Sequence, residues 1–285
     1  MRAYVRIGHS GATALRLLAA LLATGLAATP ALAADPVPLS PHRALYKLNM
    51  DKARNGDVSA ATGSMAYEIT DACDGWATRQ RLSLSVTNRD GQDIALVTDY
   101  ATWESKDGLS MRFRMRQTTD TAVTDQVEGD AVLTAAGDKG TIHYTVPEDR
   151  TMEMPAGTVF PMAHTAAIIA AAEAGKRFLT LPIFDGTGDK GTQDSSVAIT
   201  AWTPQPTASP YPALAKLPSG RVRIAFFDRG TLGTPPAKEK PMGSPDYEVG
   251  MKYWENGVAD DLTMDFSEFV MLGKLAEFSI PEPHC

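Results

Sequence analysis

The chain has 285 residues, 44% of them hydrophobic, with 27 lysines and arginines against 34 aspartates and glutamates for a formal charge of −7. That acidic balance excludes the basic footprint that nucleic-acid binding requires. The length allows one large β domain or two small ones, with room for a sizeable core.

Residues 1–33 read as a secretory signal. Arg2, Arg6 and Arg16 precede or enter an apolar run from Leu17 to Ala28, and Ala31-Leu32-Ala33 supplies a cleavage site before Ala34. The run is too short to cross a hydrocarbon layer of about 30 Å as a helix, and no later segment approaches the roughly 20 apolar residues needed. No cysteine follows the cleavage site to carry a lipid, and no twin-arginine pair opens the signal. The expectation is Sec export to a periplasm and a soluble chain over residues 34–285, folded as one domain, without a transmembrane segment or lipid anchor. Removing the signal takes away three arginines and no acids, leaving a charge of about −10.

Alternation of period two dominates the chain beyond the signal. Leu82, Leu84 and Val86 oppose Ser83, Ser85 and Thr87, and Met111, Phe113 and Met115 oppose Arg112, Arg114 and Arg116, as in half-buried antiparallel strands. The turn pairs Asn55-Gly56, Asp90-Gly91 and Asp107-Gly108 fall between strand-like runs. One helix is expected, over 161–174: Pro161 suits its first turn, alanines and isoleucines fill it, and Gly175 stops it. Being apolar nearly all round, it is expected against or inside the concave face of a curved sheet.

Residues 203–220 carry five prolines and 234–245 carry four, and both read as long, mobile or polyproline-like connections between strands. Alternation resumes with Val222, Ile224 and Phe226 opposite Arg221 and Arg223. It continues through Tyr247, Val249, Met251 and Tyr253, and then in Leu262, Met264 and Phe266 opposite Asp261, Thr263 and Asp265, with Asn256-Gly257 as a further hairpin turn. The fold class is mainly β, a meander of antiparallel strands with one main helix.

The chain has two cysteines, Cys73 and the terminal Cys285. In an oxidising compartment they are most simply a disulfide, which in the loop-entropy view would restrict the unfolded chain by about 5 kcal/mol as an upper figure. A reactive or intermolecular thiol and a metal ligand are the other readings. Asp185, Asp189 and Asp194 in DGTGDKGTQD suggest a calcium loop, but Lys190 stands where the sharp-turn glycine belongs and Ser196 where the bidentate glutamate belongs, so a plain hairpin loop is expected. No motif for a serine nucleophile is present. Of the histidines beyond the signal, His42, His143, His164 and His284, His164 is the candidate base or proton switch because it lies on the apolar helix, although a hydrogen-bonded core histidine is the plainer reading. Arg112, Arg114 and Arg116 form either an anion or lipid-headgroup stripe or a solvated outer face. Trp76, Trp103, Trp202 and Trp254 either line a ligand groove or belong to the core.

Several segments together resemble one family: HRALYKL at 42–48, GSMAYE at 63–68, ACDGW at 72–76, WESKDGLSMRF at 103–113, MPAGTVFPMAHTAAIIAAAEAGK at 154–176, IFDG at 183–186 and NGVADDLTMDF at 256–266, with the terminal Cys285. In order and spacing they are similar to the EipB family of alphaproteobacterial cell envelope integrity proteins, over nearly the whole of residues 34–285. The resemblance implies a periplasmic protein built as an open spiral, a barrel-like antiparallel sheet curved around a helix, similar to the lipoprotein carriers of the Lol system. It also implies a disulfide between the cysteine of the CDGW motif and the C-terminal one, here Cys73 and Cys285, and an association with envelope integrity under stress. No enzymatic activity, catalytic residue, cofactor or metal site is implied. The leading expectation is therefore a non-catalytic periplasmic protein that binds a protein segment, a lipid or an acylated polypeptide in a concave groove. A lipid or lipoprotein carrier and an envelope hydrolase are the alternatives. A hydrolase would gather His164 or His143 with carboxylates in a cleft, whereas a binding protein would show a contiguous apolar cavity.

Overall fold

The computed structural model describes residues 37–54, 56–229, 244–266, 268–282 and 285. The expected signal peptide, Asn55, most of the 234–245 connection and His284 lie outside them. Among the described residues the chain forms fourteen strands and one α-helix. In chain order they are β1 (His42–Ala53), β2 (Val58–Asp71), β3 (Gly75–Asn88), β4 (Asp93–Ser105), β5 (Ser110–Thr119), β6 (Ala122–Leu133), β7 (Gly140–Val146), β8 (Arg150–Met154), α1 (Pro161–Glu173), β9 (Phe178–Ile183), β10 (Gln193–Thr203), β11 (Ser219–Asp228), β12 (Tyr247–Trp254), β13 (Ala259–Asp265) and β14 (Phe269–Ser279).

All the strands belong to one sheet in the order β8-β7-β6-β5-β4-β3-β2-β1-β14-β13-β12-β11-β10-β9. Eight strands run as a meander out to the edge at β8. The chain then passes through α1 to the other edge at β9 and meanders back until β14 pairs with β1. Every pairing is antiparallel, so short turns suffice between neighbours, and the Asp90-Gly91, Asp107-Gly108 and Asn256-Gly257 pairs supply three of them. The two edges approach each other near Val159, whose amide donates to Pro182 O at 3.0 Å and whose carbonyl accepts from Phe184 N at 3.1 Å. A sheet of this length curls because each strand is twisted against the next.

The alternation seen in the sequence sorts the two faces. Met111, Phe113 and Met115 are buried while Arg112, Arg114 and Arg116 are exposed, and Val222 and Ile224 are buried while Arg221 and Arg223 are exposed. The last alternating run departs from this scheme. β13 ends at Asp265, which is buried and ion-paired with Arg54 across the β1 end of the sheet, and Phe266 lies in the turn that follows. The proline-rich stretch 203–220 is also not the loose connection expected. Leu214 is fully buried against Trp254 and Val258, and the Tyr211 hydroxyl donates to Leu275 O at 3.2 Å, so apolar packing fixes the segment despite its prolines.

Helix α1 begins at Pro161, as expected, and Gly175 beyond its end adopts a φ of +70° that suits glycine. Its residues Ile168, Ala171 and Ala172 pack with Val197, Ile199, Val222 and Ile224 of β10 and β11. At its other end the first turn is held by Glu104 of β4. Strands β4 and β10 are eight places apart in the sheet order, so a helix touching both must lie inside the curve.

Candidate functional site

The inner face of the sheet holds a hollow of two lobes, one of them against α1. The deeper lobe, about 280 Å³, lies under β1, β2, β12 and β13 and is closed on one side by Met162 and Thr165 of the helix. The wider lobe, about 730 Å³, lies under β3, β4 and β5 and is lined by Leu82, Leu84, Leu96, Met115 and Phe269. Gln80, Tyr247 and Met264 line both lobes and form the waist between them. Combined apolar lining with a few polar groups and a size of several hundred Å³ fits an organic ligand or chain segment.

The tryptophans expected as candidates are placed elsewhere. Trp76 lies under Lys106 Nζ at 3.2 Å, Trp103 under Arg112 at 4.6 Å and Trp254, buried, under Lys252 Nζ at 3.8 Å, while Trp202 packs on the Val197–Val222 cluster. Tyrosines take the place assigned to them: Tyr46, Tyr67 and Tyr253 face the deeper lobe, Tyr100 the wider one and Tyr247 both. Burial pushes all five phenols upward, so they stay neutral and act as hydrogen-bonding groups within an apolar wall. Tyr46 donates to Ala259 O at 2.7 Å and Tyr100 donates to Asp185 O.

Acid–base chemistry finds little support in this hollow. His42 lines the deeper lobe with Nδ1 2.8 Å from Ser40 O, and burial lowers its pKa. The carboxylates, Asp57, Asp125 and Glu268, belong to the wider lobe. His143 meets Asp130 at 3.5 Å and Asp149 at 3.3 Å, but on the exposed side of β7, and these acids raise its pKa. His164 is buried, with Nε2 2.7 Å from the Oγ of fully buried Ser195 on β10. Burial pushes its pKa down to about 4, so the imidazole is neutral, and neither member of the pair lines either lobe. It clasps the helix to the sheet.

The sequence offered no sign of Ser195, and none of Glu104. Glu104 faces inward on β4 at 2% exposure, and its two oxygens accept from Met162 N at 2.7 Å and Ala163 N at 3.0 Å. Phe160, the N-cap, offers no side-chain acceptor, so a carboxylate distant in sequence satisfies the first amides of α1. Burial pushes its pKa up to about 7 against the pull of those two donors.

The DGTGDKGTQD segment is the β9–β10 hairpin loop, and its acids are engaged separately. Asp185 accepts from Thr187 N at 2.9 Å and Thr187 Oγ1 at 2.8 Å, Asp189 meets Arg150 at 3.2 Å, and Asp194 meets Arg229 at 3.0 Å. No group of three or more histidine, cysteine or acidic side chains among the described residues is placed to hold a metal ion. Cys73, in the β2–β3 turn, is bonded to Cys285 with the Cα atoms 5.5 Å apart. That bond ties the end of the chain to the turn two strands away from β14.

Known proteins share this architecture. Cell envelope integrity protein EipB of Brucella abortus (strain 2308) is 33% identical over 256 residues, covering 87% of this chain and 86% of that protein. A crystal structure of a β-barrel-like protein of a domain of unknown function, also from Brucella abortus, superposes with a TM-score of 0.75 at 29% identity, covering 86% of this chain and 100% of the other. The family model described as EipB-like matches residues 33–282, and on that match, the identity to EipB and the shared sheet, this chain belongs to the EipB-like family.

Proposed function

We propose that this protein supports cell envelope integrity as a non-catalytic binding protein of the periplasm, exported through residues 1–33, folded as one unit over 34–285, and holding an apolar chain in the hollow beside α1. The chain is the acyl portion of a lipid or lipid-bearing polypeptide, or an apolar protein segment. The two-lobed cavity carries this reading: its walls are mainly apolar side chains and neutral tyrosines, with Asp57, Asp125 and Glu268 on the wider lobe, and its volume far exceeds a packing void. The name of the Brucella relative supports the envelope role. The reading against catalysis is supported by the separation of His42 from the carboxylates of the wider lobe and by the enclosure of His164 with Ser195.

A fluorescent long-chain fatty acid titrated into the purified exported chain tests the reading. The expected result is saturable binding that Met264→Trp, which fills the waist, weakens by about tenfold or more while far-UV circular dichroism stays unchanged. Native mass spectrometry of protein taken from periplasm separates lipid from polypeptide by the mass that accompanies it. No fluorescent binding and no accompanying mass would refute the proposal.

A further inference from the structure

A groove of about 800 Å³ lies on the opposite, outward face of the sheet across β5, β4, β3, β2, β1 and β14. Its floor is set by cross-strand register. Arg114 stands opposite Ala101, which stands opposite Arg79, and in the adjacent row Arg116 stands opposite Asp99, which stands opposite Arg81. Strands are about 4.8 Å apart and alternate residues about 7 Å apart, so four arginine stems fence a patch of about 10 by 7 Å with the short side chains of β4 at its centre.

The charges inside that fence do not cancel. Asp99 is engaged by Arg81 at 2.7 and 3.0 Å, and Arg114 leans away to Glu128 at 3.6 Å on the far side. Arg79 and Arg116, on one diagonal, have no ion-pair or hydrogen-bond partner among the described residues; Glu68, opposite Arg79 on β2, is taken by Arg43 at 2.6 Å. The groove as a whole is lined by five arginines and three acids, in a chain whose net charge is −7. Like charges gathered on one sheet face oppose folding, and a bound anion would relieve that repulsion. Every cation of the fence is an arginine, whose planar fork matches the paired oxygens of a phosphate.

The rest of the groove indicates what the anion is attached to. Toward β14 the walls are Leu45, Ala66, Phe278 and Ser279; Arg43 at that end is neutralised by Glu68 at 2.6 Å, which leaves the charge of Glu277 beside them. That end repels a second negative charge and offers small polar and apolar surfaces, and a bare ion would leave most of the volume empty. We propose that the groove binds a phosphate ester carried on an uncharged polyol, with Arg79 and Arg116 as the principal donors to the phosphate. Anionic lipid headgroups and free sugar or glycerol phosphates share that chemistry.

Calorimetric titration of the exported chain with glycerol 3-phosphate and glucose 1-phosphate tests the free esters, and cosedimentation with phosphatidylglycerol vesicles against phosphatidylcholine vesicles tests the headgroup. Saturable binding in either arm is expected, weakening as salt is raised. The double variant Arg79→Gln/Arg116→Gln should lose about tenfold or more of that affinity, because two charge-assisted donors go. Its unfolding midpoint without ligand should be unchanged or higher, since neither arginine holds a partner. Met264→Trp should bind the phosphate ester as the unaltered protein does, which keeps this site separate from the hollow. Silence in both arms, equal affinity for inorganic sulfate, or binding that survives the double substitution would overturn the assignment.

Discussion

Glu104 gives the sharpest test of how the helix is held. Replacing it with alanine strips the acceptor from two buried amides, Met162 N and Ala163 N, at the unpaired start of α1. Each orphaned buried donor costs about 1–3 kcal/mol, and relief from burying a carboxyl offsets part of this, leaving a net loss of about 2–4 kcal/mol. In a chain of this size that is a fall of roughly 4–16 °C in the unfolding midpoint, at about 2–4 °C per kcal/mol. The pH dependence separates this account from a simple packing defect. The carboxyl is pushed from 4.5 up to about 7 in the folded protein, so the folded state holds its proton more tightly than the unfolded chain. The resulting stability is full below pH 4.5, declines as pH rises to 7, and is then constant, a change of about 3–4 kcal/mol. Urea unfolding of the unaltered protein and of Glu104→Gln at pH 5 and pH 8 isolates this contribution, because every other group titrates alike in both. The expected result is that the parent loses stability from pH 5 to pH 8 relative to the glutamine variant, which keeps the rise due to His164. Equal changes in the two proteins, or an alanine variant as stable as the parent, would refute the reasoning.

Cys73→Ser and Cys285→Ser should each destabilise the protein to a similar extent, up to about 5 kcal/mol for a link across 212 residues, and the double variant should lose little more, since one bond is deleted in each case. Additive losses in denaturant titration would contradict the bond. His164, pushed down to about 4, is neutral in the folded state but protonates below 6.5 when unfolded, so its stability is full above pH 6.5 and is lost as pH falls toward 4. With that rise removed, His164→Gln should lose stability between pH 4.5 and 6.5 relative to the parent, and a slope equal to the parent's would exclude the role.

Much of the sheet was legible because a strand with one buried face must alternate. Met111–Met115 and Val222–Ile224 show that alternation without interruption. Helix α1 was legible for the opposite reason: it has no polar face, so it had to be enclosed, between a proline that can start a helix and a glycine that can end one. The order of the strands was not. Nothing in β1 or β14 alone indicates that the first and last strands pair, and only the two cysteines pointed to the chain end returning to its beginning. The site was legible by class, as a hollow under a curved sheet, and not by residue. Glu104 recognises backbone amides 58 and 59 residues away, and Ser195 meets His164 from 31 residues away, contacts that leave no spacing to read. Tyrosine lines the hollow where tryptophan was considered, because Trp76, Trp103 and Trp254 are each covered by a cation instead. The prolines of 203–220 concealed Leu214, whose burial decides that segment's order.

Glu104 and His164 act on the same helix with opposite linkage. Between pH 4.5 and 6.5 the folded protein holds one proton more than the unfolded chain at Glu104 and one fewer at His164, so the two slopes, each about 1.4 kcal/mol per pH unit, cancel. In that interval the helix is seated by a protonated acid and a neutral imidazole, and its buried contacts carry no net charge. Above pH 7 the carboxylate ionises into the positive end of α1, where two amides and the helix dipole receive the charge. The pair therefore contributes a flat stability profile across mildly acid conditions, while Glu104→Gln alone exposes the rise with pH due to His164, and His164→Gln alone exposes the fall due to Glu104. The double variant should regain the parent's slope between pH 4.5 and 6.5, at lower stability, because the two contributions removed are equal and opposite, and a double variant whose slope differs from the parent's in that interval would refute the cancellation.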